Sequence, residues 1–64
     1  MVYTIKRFNE TLQRTEYLYR LRPTRWTDDK FLCLKMDRIK AARESEWLNF
    51  MGQPHEVIRV EGNH

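Results

Sequence analysis

The chain has 64 residues and a mass of 7.9 kDa, with 41% hydrophobic, 12% aromatic and 33% charged residues. This length excludes two separate hydrophobic cores, and this composition argues against a wholly disordered chain. A single cysteine excludes an internal disulfide. The apolar runs are too short for a membrane span and no signal peptide is recognisable, so we expect a cytoplasmic protein with one domain over residues 1–64.

The net charge of +3 is concentrated in the N-terminal part of the chain. Residues 1–25 hold six basic and two acidic residues, whereas residues 26–64 hold six basic and seven acidic residues. Eight of the twelve cations are arginine, whose planar guanidinium group suits phosphate and carboxylate partners. The charge distribution therefore favours an acidic partner, either nucleic acid or the acidic face of a protein.

Two strands are predicted at the start of the chain. Alternation of apolar and polar residues predicts a strand over 2–8, with Tyr3 and Ile5 on one face. The polar residues 9–11 suit a turn, and a second strand is predicted over 16–22, which gives an antiparallel hairpin. One face of the second strand carries Tyr17, Tyr19 and Leu21, and its more polar face carries Glu16, Leu18, Arg20 and Arg22.

The segment after Pro23 is harder to assign from the sequence. Residues 24–30 are interpreted as a connection that contains Trp26. The apolar run over 31–34 predicts either a third strand or the beginning of the helix, because a short run does not separate the two. Residues 55–61 are β-prone and apolar on both faces, which predicts an inner final strand, followed by a fraying tail at 62–64.

A helix is predicted over about 38–51, with Asp37 as its N-cap and Gly52 as its stop. Its larger apolar side carries Ile39, Trp47 and Phe50, with Met36 beside them and Arg43 and Glu46 between them. Its smaller side carries Ala41, Ala42, Ser45 and Leu48. One of these sides either covers the rim of the core or faces a partner. The predicted fold class is α+β, a small two-layer domain with an antiparallel sheet of three to four strands packed on one helix, in the order β-β-(β)-α-β.

The sequence offers no pattern of metal-ligating or catalytic residues. Cys33, His55 and His64 lack the paired spacing of a zinc site, and Cys33 is interpreted as a buried structural thiol. Ser45 is predicted on a helix without a nucleophile elbow. The pair Asp28-Asp29 suits either a solvated turn or a divalent cation. We therefore expect no cofactor, no metal and no enzymatic activity.

The segment QRTEYLYRLRPTRW, residues 13–26, combines arginine with aromatic residues. On a strand Arg14, Arg20 and Arg22 would form a stripe on one face. An exposed Trp26 would stack on a base or anchor a protein contact, and the alternative is a solvated sheet face with Trp26 folded over the core edge. The predicted partner-binding residues are Arg14, Tyr17, Arg20, Arg22, Arg25 and Trp26.

The segment FLCLKMDRIKAARESEWLNFMGQPHEVIRVE, residues 31–61, resembles very small phage-encoded proteins that inhibit host defences, such as anti-CRISPR proteins. The shared features are a short strand, an alanine-containing helix, a glycine stop and a closing strand. The resemblance implies a non-enzymatic phage-type accessory protein that binds and inhibits a host protein or ribonucleoprotein complex by occupying its surface. Two alternatives stay open: a small basic nucleic-acid-binding protein, and a self-associating structural subunit or homodimer. No membrane partner is expected.

Overall fold

The computed structural model describes residues 1–60, which form one antiparallel four-stranded sheet and one α-helix. The strands lie side by side in the order β3-β2-β1-β4. This architecture confirms the predicted α+β class, whereas the predicted tail at 62–64 lies outside the described residues. The elements in chain order are β1 (Val2–Asn9), β2 (Arg14–Arg20), β3 (Arg25–Thr27), a short 3-10 helix (Lys30–Leu32), α1 (Arg38–Phe50) and β4 (Glu56–Val60).

Strand β1 is central, paired with β2 along its second half and with β4 along its first. Its neighbouring residues Thr4 and Ile5 are both fully buried, although alternation places them on opposite faces. Backbone hydrogen bonds of 2.8 Å in both directions join Tyr3 and Met36, so the segment before α1 extends the sheet where β2 turns away. This pairing brings Met36 into the core.

The hydrophobic core lies between the sheet and α1. It consists of Ile5, Leu18, Met36, Ala41 and Leu48. We call the side of the sheet that carries Ile5 and Leu18, which share this cluster with Ala41 and Leu48 of α1, the helix side. The opposite side, where Lys6 and Tyr17 are half-buried and Thr4 is fully buried between its neighbours, is called the open side. A core this small gives a domain of modest intrinsic stability.

Both ends of α1 form as predicted, except that the helix ends one residue earlier than expected, at Phe50. The Asp37 side chain accepts a hydrogen bond from the Lys40 backbone N–H at 2.7 Å, which satisfies a donor that the first helical turn leaves free. At the other end Gly52 has φ +73°, a conformation that glycine adopts without strain. The N–H groups of Gly52 and Gln53 bond to the carbonyls of Asn49 and Leu48, which completes a Schellman motif.

The third strand lies elsewhere than predicted, and the last strand forms where predicted but at an edge of the sheet. Residues 31–34 form no strand, because the Asp29 side chain accepts a hydrogen bond from the Phe31 N–H and begins a 3-10 turn there. The third strand lies instead at Arg25–Thr27, within the predicted connection. Strand β4 is an edge strand of the sheet rather than an inner one, and its apolar residues on two faces are only half covered. Cys33 is buried, as expected.

The faces of β2 are the reverse of the prediction. Leu18 is 1% exposed and Glu16 is 3% exposed, so the face assigned to solvent points to the helix side. Tyr19 is exposed and Tyr17 is half-buried on the open side. Glu16 made this face of β2 look polar in the sequence. A carboxylate can be buried only when it accepts hydrogen bonds, and the donors to Glu16 come from other positions along the chain.

The helix also packs by its smaller apolar side. Ala41 and Leu48 are buried, whereas Ile39, Trp47 and Phe50 are exposed. The physical reason lies in Arg43 and Glu46, which sit in the middle of the larger side. Packing that side on the sheet would bury both charges, whereas Ala41 lets the helix backbone approach the sheet closely.

Candidate partner-binding site

The hairpin that joins β2 to β3 concentrates three arginines at its tip. Arg20 and Arg25 are directly opposite each other in the strand register, and Arg22 lies in the turn between them. Arg22 has φ 50° and precedes a cis peptide bond to Pro23. We call Arg20, Arg22 and Arg25 the arginine tip.

A β-bulge decides which way the arginine tip faces. The register shifts between Leu18 and Arg20, so that Arg20 rather than Tyr19 lies opposite Arg25. Trp26 packs against the core on the helix side, and alternation therefore turns its neighbour Arg25 to the open side. Since cross-strand partners share a face, Arg20 projects to the open side as well. The exposed Tyr19 and the half-buried Tyr17 lie on this side too.

The arginine tip is exposed and positively charged. All three side chains are exposed, and none makes an ion pair with a residue between 1 and 60. Like charges directly opposite on a sheet repel each other. A non-glycine residue with positive φ adds a local cost at Arg22. The hairpin therefore holds three positive charges together at some cost in stability, an arrangement typical of functional sites.

Two predicted residues belong to a different cluster on the helix side. Arg14 bonds to the Glu16 carboxylate through Nε and Nη2 at 3.0 Å, and its Nη1 lies 3.3 Å from Asp28. The indole of Trp26 is covered by the guanidinium group of Arg7, 4.1 Å from the ring centroid, and packs against the core. Arg14 and Trp26 are therefore occupied by contacts within the chain and are not part of one stripe with Arg20.

Glu16 holds this second cluster together. Its carboxylate accepts hydrogen bonds from Arg7 Nη2 at 2.9 Å, Arg7 Nε at 3.1 Å and Asn9 Nδ2 at 3.2 Å, besides those from Arg14. Burial raises the pKa of this carboxyl group, but the hydrogen bonds from Asn9, Arg7 and Arg14 outweigh burial and lower the pKa below its ordinary value. Sequence reasoning missed Arg7 and Asn9, because the strand register that places them opposite Glu16 and Arg14 cannot be read from the strand pattern alone.

One polar pair was also missed. The Nδ1–H of His55 donates to the Gln53 carbonyl at 2.8 Å, which leaves Nε2 to accept from the Ser45 hydroxyl at 2.7 Å. A serine hydroxyl within hydrogen-bond distance of a histidine ring nitrogen resembles an activated nucleophile. Ser45 lies inside α1, however, where neighbouring N–H groups are used in helical bonds and cannot stabilise an oxyanion. The pair fastens α1 to the loop that precedes β4.

Metal-ligating side chains lie scattered over residues 1–60. Between residues 1 and 60 no three His, Cys, Asp or Glu side chains are grouped so that they could hold a metal ion. Asp28 and Asp29 are used separately, Asp28 by Arg14 and Asp29 by the 3-10 turn. Within the same residues no helix is long and apolar enough to cross a membrane. Comparison with protein-family models, curated proteins and solved structures gave no match to this chain.

Proposed function

We propose that the protein is a non-enzymatic binding protein that attaches to an acidic surface of a macromolecular partner through the arginine tip. The observation that carries the proposal is the set of three exposed arginines without ion-pair partners among residues 1–60, held together against their own repulsion. Carboxylates of a partner would relieve that repulsion and match the planar guanidinium groups.

Tyr19 and Tyr17 extend the proposed contact on the open side of the sheet. Tyrosine and arginine are enriched among residues that dominate protein interfaces, because they combine a large contact area with hydrogen-bonding groups. In the specific form that the resemblance implies, a phage-type accessory protein in the host cytoplasm, the partner is a defence complex whose working surface the protein occupies. Arg14 and Trp26 have supporting roles here, since they fix the strands from which the tip projects.

A pull-down from bacterial lysate tests this proposal, with half of the lysate treated with nuclease and the eluates identified by mass spectrometry. The tip variant carries Arg20→Ala, Arg22→Ala and Arg25→Ala. The matched control carries Lys30→Ala, Lys35→Ala and Lys40→Ala, which removes the same charge from exposed positions elsewhere. Circular dichroism verifies that both variants are folded.

We expect the same proteins on the wild type and on the lysine control after nuclease treatment, and their loss from the tip variant. Each arginine at a desolvated contact contributes about 2 kcal/mol, or roughly a 30-fold change in affinity. Equal recovery on the tip variant would show that the site is wrongly assigned. Recovery of nucleic acid alone, with binding that weakens steeply as salt rises, would favour the nucleic-acid-binding alternative instead.

A further inference from the structure

The outer face of α1 exposes three large apolar side chains. Ile39 is 68% exposed, Trp47 is 55% exposed and Phe50 is 81% exposed. The rings of Trp47 and Phe50 stack with their centroids 5.9 Å apart. Single exposed apolar residues are common on protein surfaces, whereas a stacked aromatic pair with a further apolar residue along the same helix indicates an interaction surface.

This face points directly away from the core. At about 100° per residue, the positions 39, 43, 46 and 50 lie about 180° around the helix from the buried Ala41 and Leu48. Steps of four, three and four residues are also the spacing of the seam along which two helices pack in a coiled coil. The outer face is therefore shaped for a second helix rather than for another part of the described chain.

Two opposite charges lie at the middle of this seam. Arg43 and Glu46 are both exposed, and neither forms an ion pair with any residue from 1 to 60. A partner helix must offer an acidic group opposite Arg43 and a basic group opposite Glu46, because unpaired charges at a buried contact are costly.

A second copy of α1, running antiparallel, meets these requirements. Consider a two-fold axis that is perpendicular to both helices and passes between residues 44 and 45. Each residue before the axis in one copy then lies opposite the residue that is the same number of positions after the axis in the other copy. Arg43 then faces Glu46 of the second copy, twice over by symmetry. Ile39 faces Phe50 in the same way. A parallel pair would instead place Arg43 against Arg43.

Ala42 and Trp47 flank the seam on opposite sides of the helix, so each lies on the same side of the contact as its own counterpart in the second copy. Charge and apolar character along the seam are thus self-complementary about one axis.

We propose that the protein forms a two-fold dimer through the outer face of α1, with the two helices antiparallel. This inference is independent of the arginine tip, which belongs to the β2–β3 hairpin and not to α1. A helix of this length is about 20 Å long, so the contact is at the small end of specific interfaces and its dissociation constant is expected in about the micromolar range.

Charge exchange tests the dimer by analytical ultracentrifugation. Arg43→Glu places two acidic residues opposite each other, and Glu46→Arg places two basic residues opposite each other. We expect each variant alone to dimerise at least about tenfold more weakly than the wild type, because each substitution changes two symmetric contacts. An equimolar mixture of the two variants restores both opposite-charge pairs, so we expect it to form a mixed dimer with nearly wild-type affinity.

The mixture separates an interface from a change within one helix, since mixing cannot repair an intramolecular defect. Circular dichroism verifies that each variant is folded, and the double variant Arg43→Glu/Glu46→Arg provides a second rescue as a homodimer. A wild type that stays monomeric at every concentration overturns the proposal and leaves the face to a different protein. A wild-type dimer that both single variants retain, or that the mixture does not restore, equally overturns it.

Discussion

At the residue scale, Glu16 shows how a buried charge decides the direction of a strand. Its carboxylate is acceptable on the helix side because Arg7, Asn9 and Arg14 supply hydrogen bonds from both strands of the hairpin. Arg7 in turn covers Trp26, so the same network orients the ring at the edge of the core. Glu16 therefore positions β3 as well as β2.

This network predicts an acid-dependent loss of stability. The pKa of Glu16 is lower in the folded protein than its ordinary value of 4.5, so its ionised form stabilises the fold above that value and the contribution is lost as the pH falls toward the folded pKa. We expect Glu16→Gln to lower the free energy of unfolding by about 2 kcal/mol at neutral pH. Urea unfolding of both proteins from about pH 7 to about pH 3 should give curves that converge at acid pH. Parallel curves would mean that the ionised carboxylate does not hold the cluster.

At the element scale, the sequence predicts where most elements lie but not which way they face. The period-2 pattern located β1 and β2, a run of β-prone residues located β4, and Asp37 and Gly52 located both ends of α1. These signals are local, since caps and alternation depend on neighbouring residues alone. These local signals do not show which face of β2 and which face of α1 is buried.

Orientation depends on contacts between distant positions. The sequence does not show that Glu16 meets Arg7 across the hairpin, or that the bulge at Leu18 and Arg20 turns Arg20 to the open side. For this reason only three of the six predicted binding residues form the arginine tip. Tyr17 lies on the open side with the tip, whereas Arg14 and Trp26 lie on the helix side. Tyr19 was not among the predicted residues, although it shares the predicted face of Tyr17 and is exposed in the structure.

The cap of α1 gives a prediction at this scale. Asp37→Ala removes the acceptor of the Lys40 N–H, and we expect the free energy of unfolding to fall by about 1 kcal/mol. Asp37→Asn keeps an acceptor oxygen and serves as the matched control, with a loss of only a few tenths of a kcal/mol. Chemical denaturation followed by circular dichroism measures both variants. Equal losses would indicate that the charge of Asp37 matters rather than its hydrogen bond.

At the scale of the whole molecule, the small core and the uncovered face of α1 both affect the stability of the fold. The core of the described chain has five main members, and Cys33 is the only cysteine of the sequence, so no internal disulfide adds to its stability. Burying Ile39, Trp47 and Phe50 against a second copy would enlarge the apolar area removed from water without any change in the fold. Dimerisation would then act as a source of stability.

This coupling predicts a melting temperature that rises with protein concentration. From well below the dissociation constant to roughly a hundredfold above it, mass action adds about 1 to 2 kcal/mol per chain, which corresponds to roughly 5 to 10 °C for a chain of this size. Thermal unfolding followed by circular dichroism over that range measures the shift. Arg43→Glu should show a smaller rise over the same range because its dimer is weaker, and its equimolar mixture with Glu46→Arg should recover the wild-type rise. A wild-type melting temperature that does not change would mean that the outer face of α1 contributes nothing to stability through self-association.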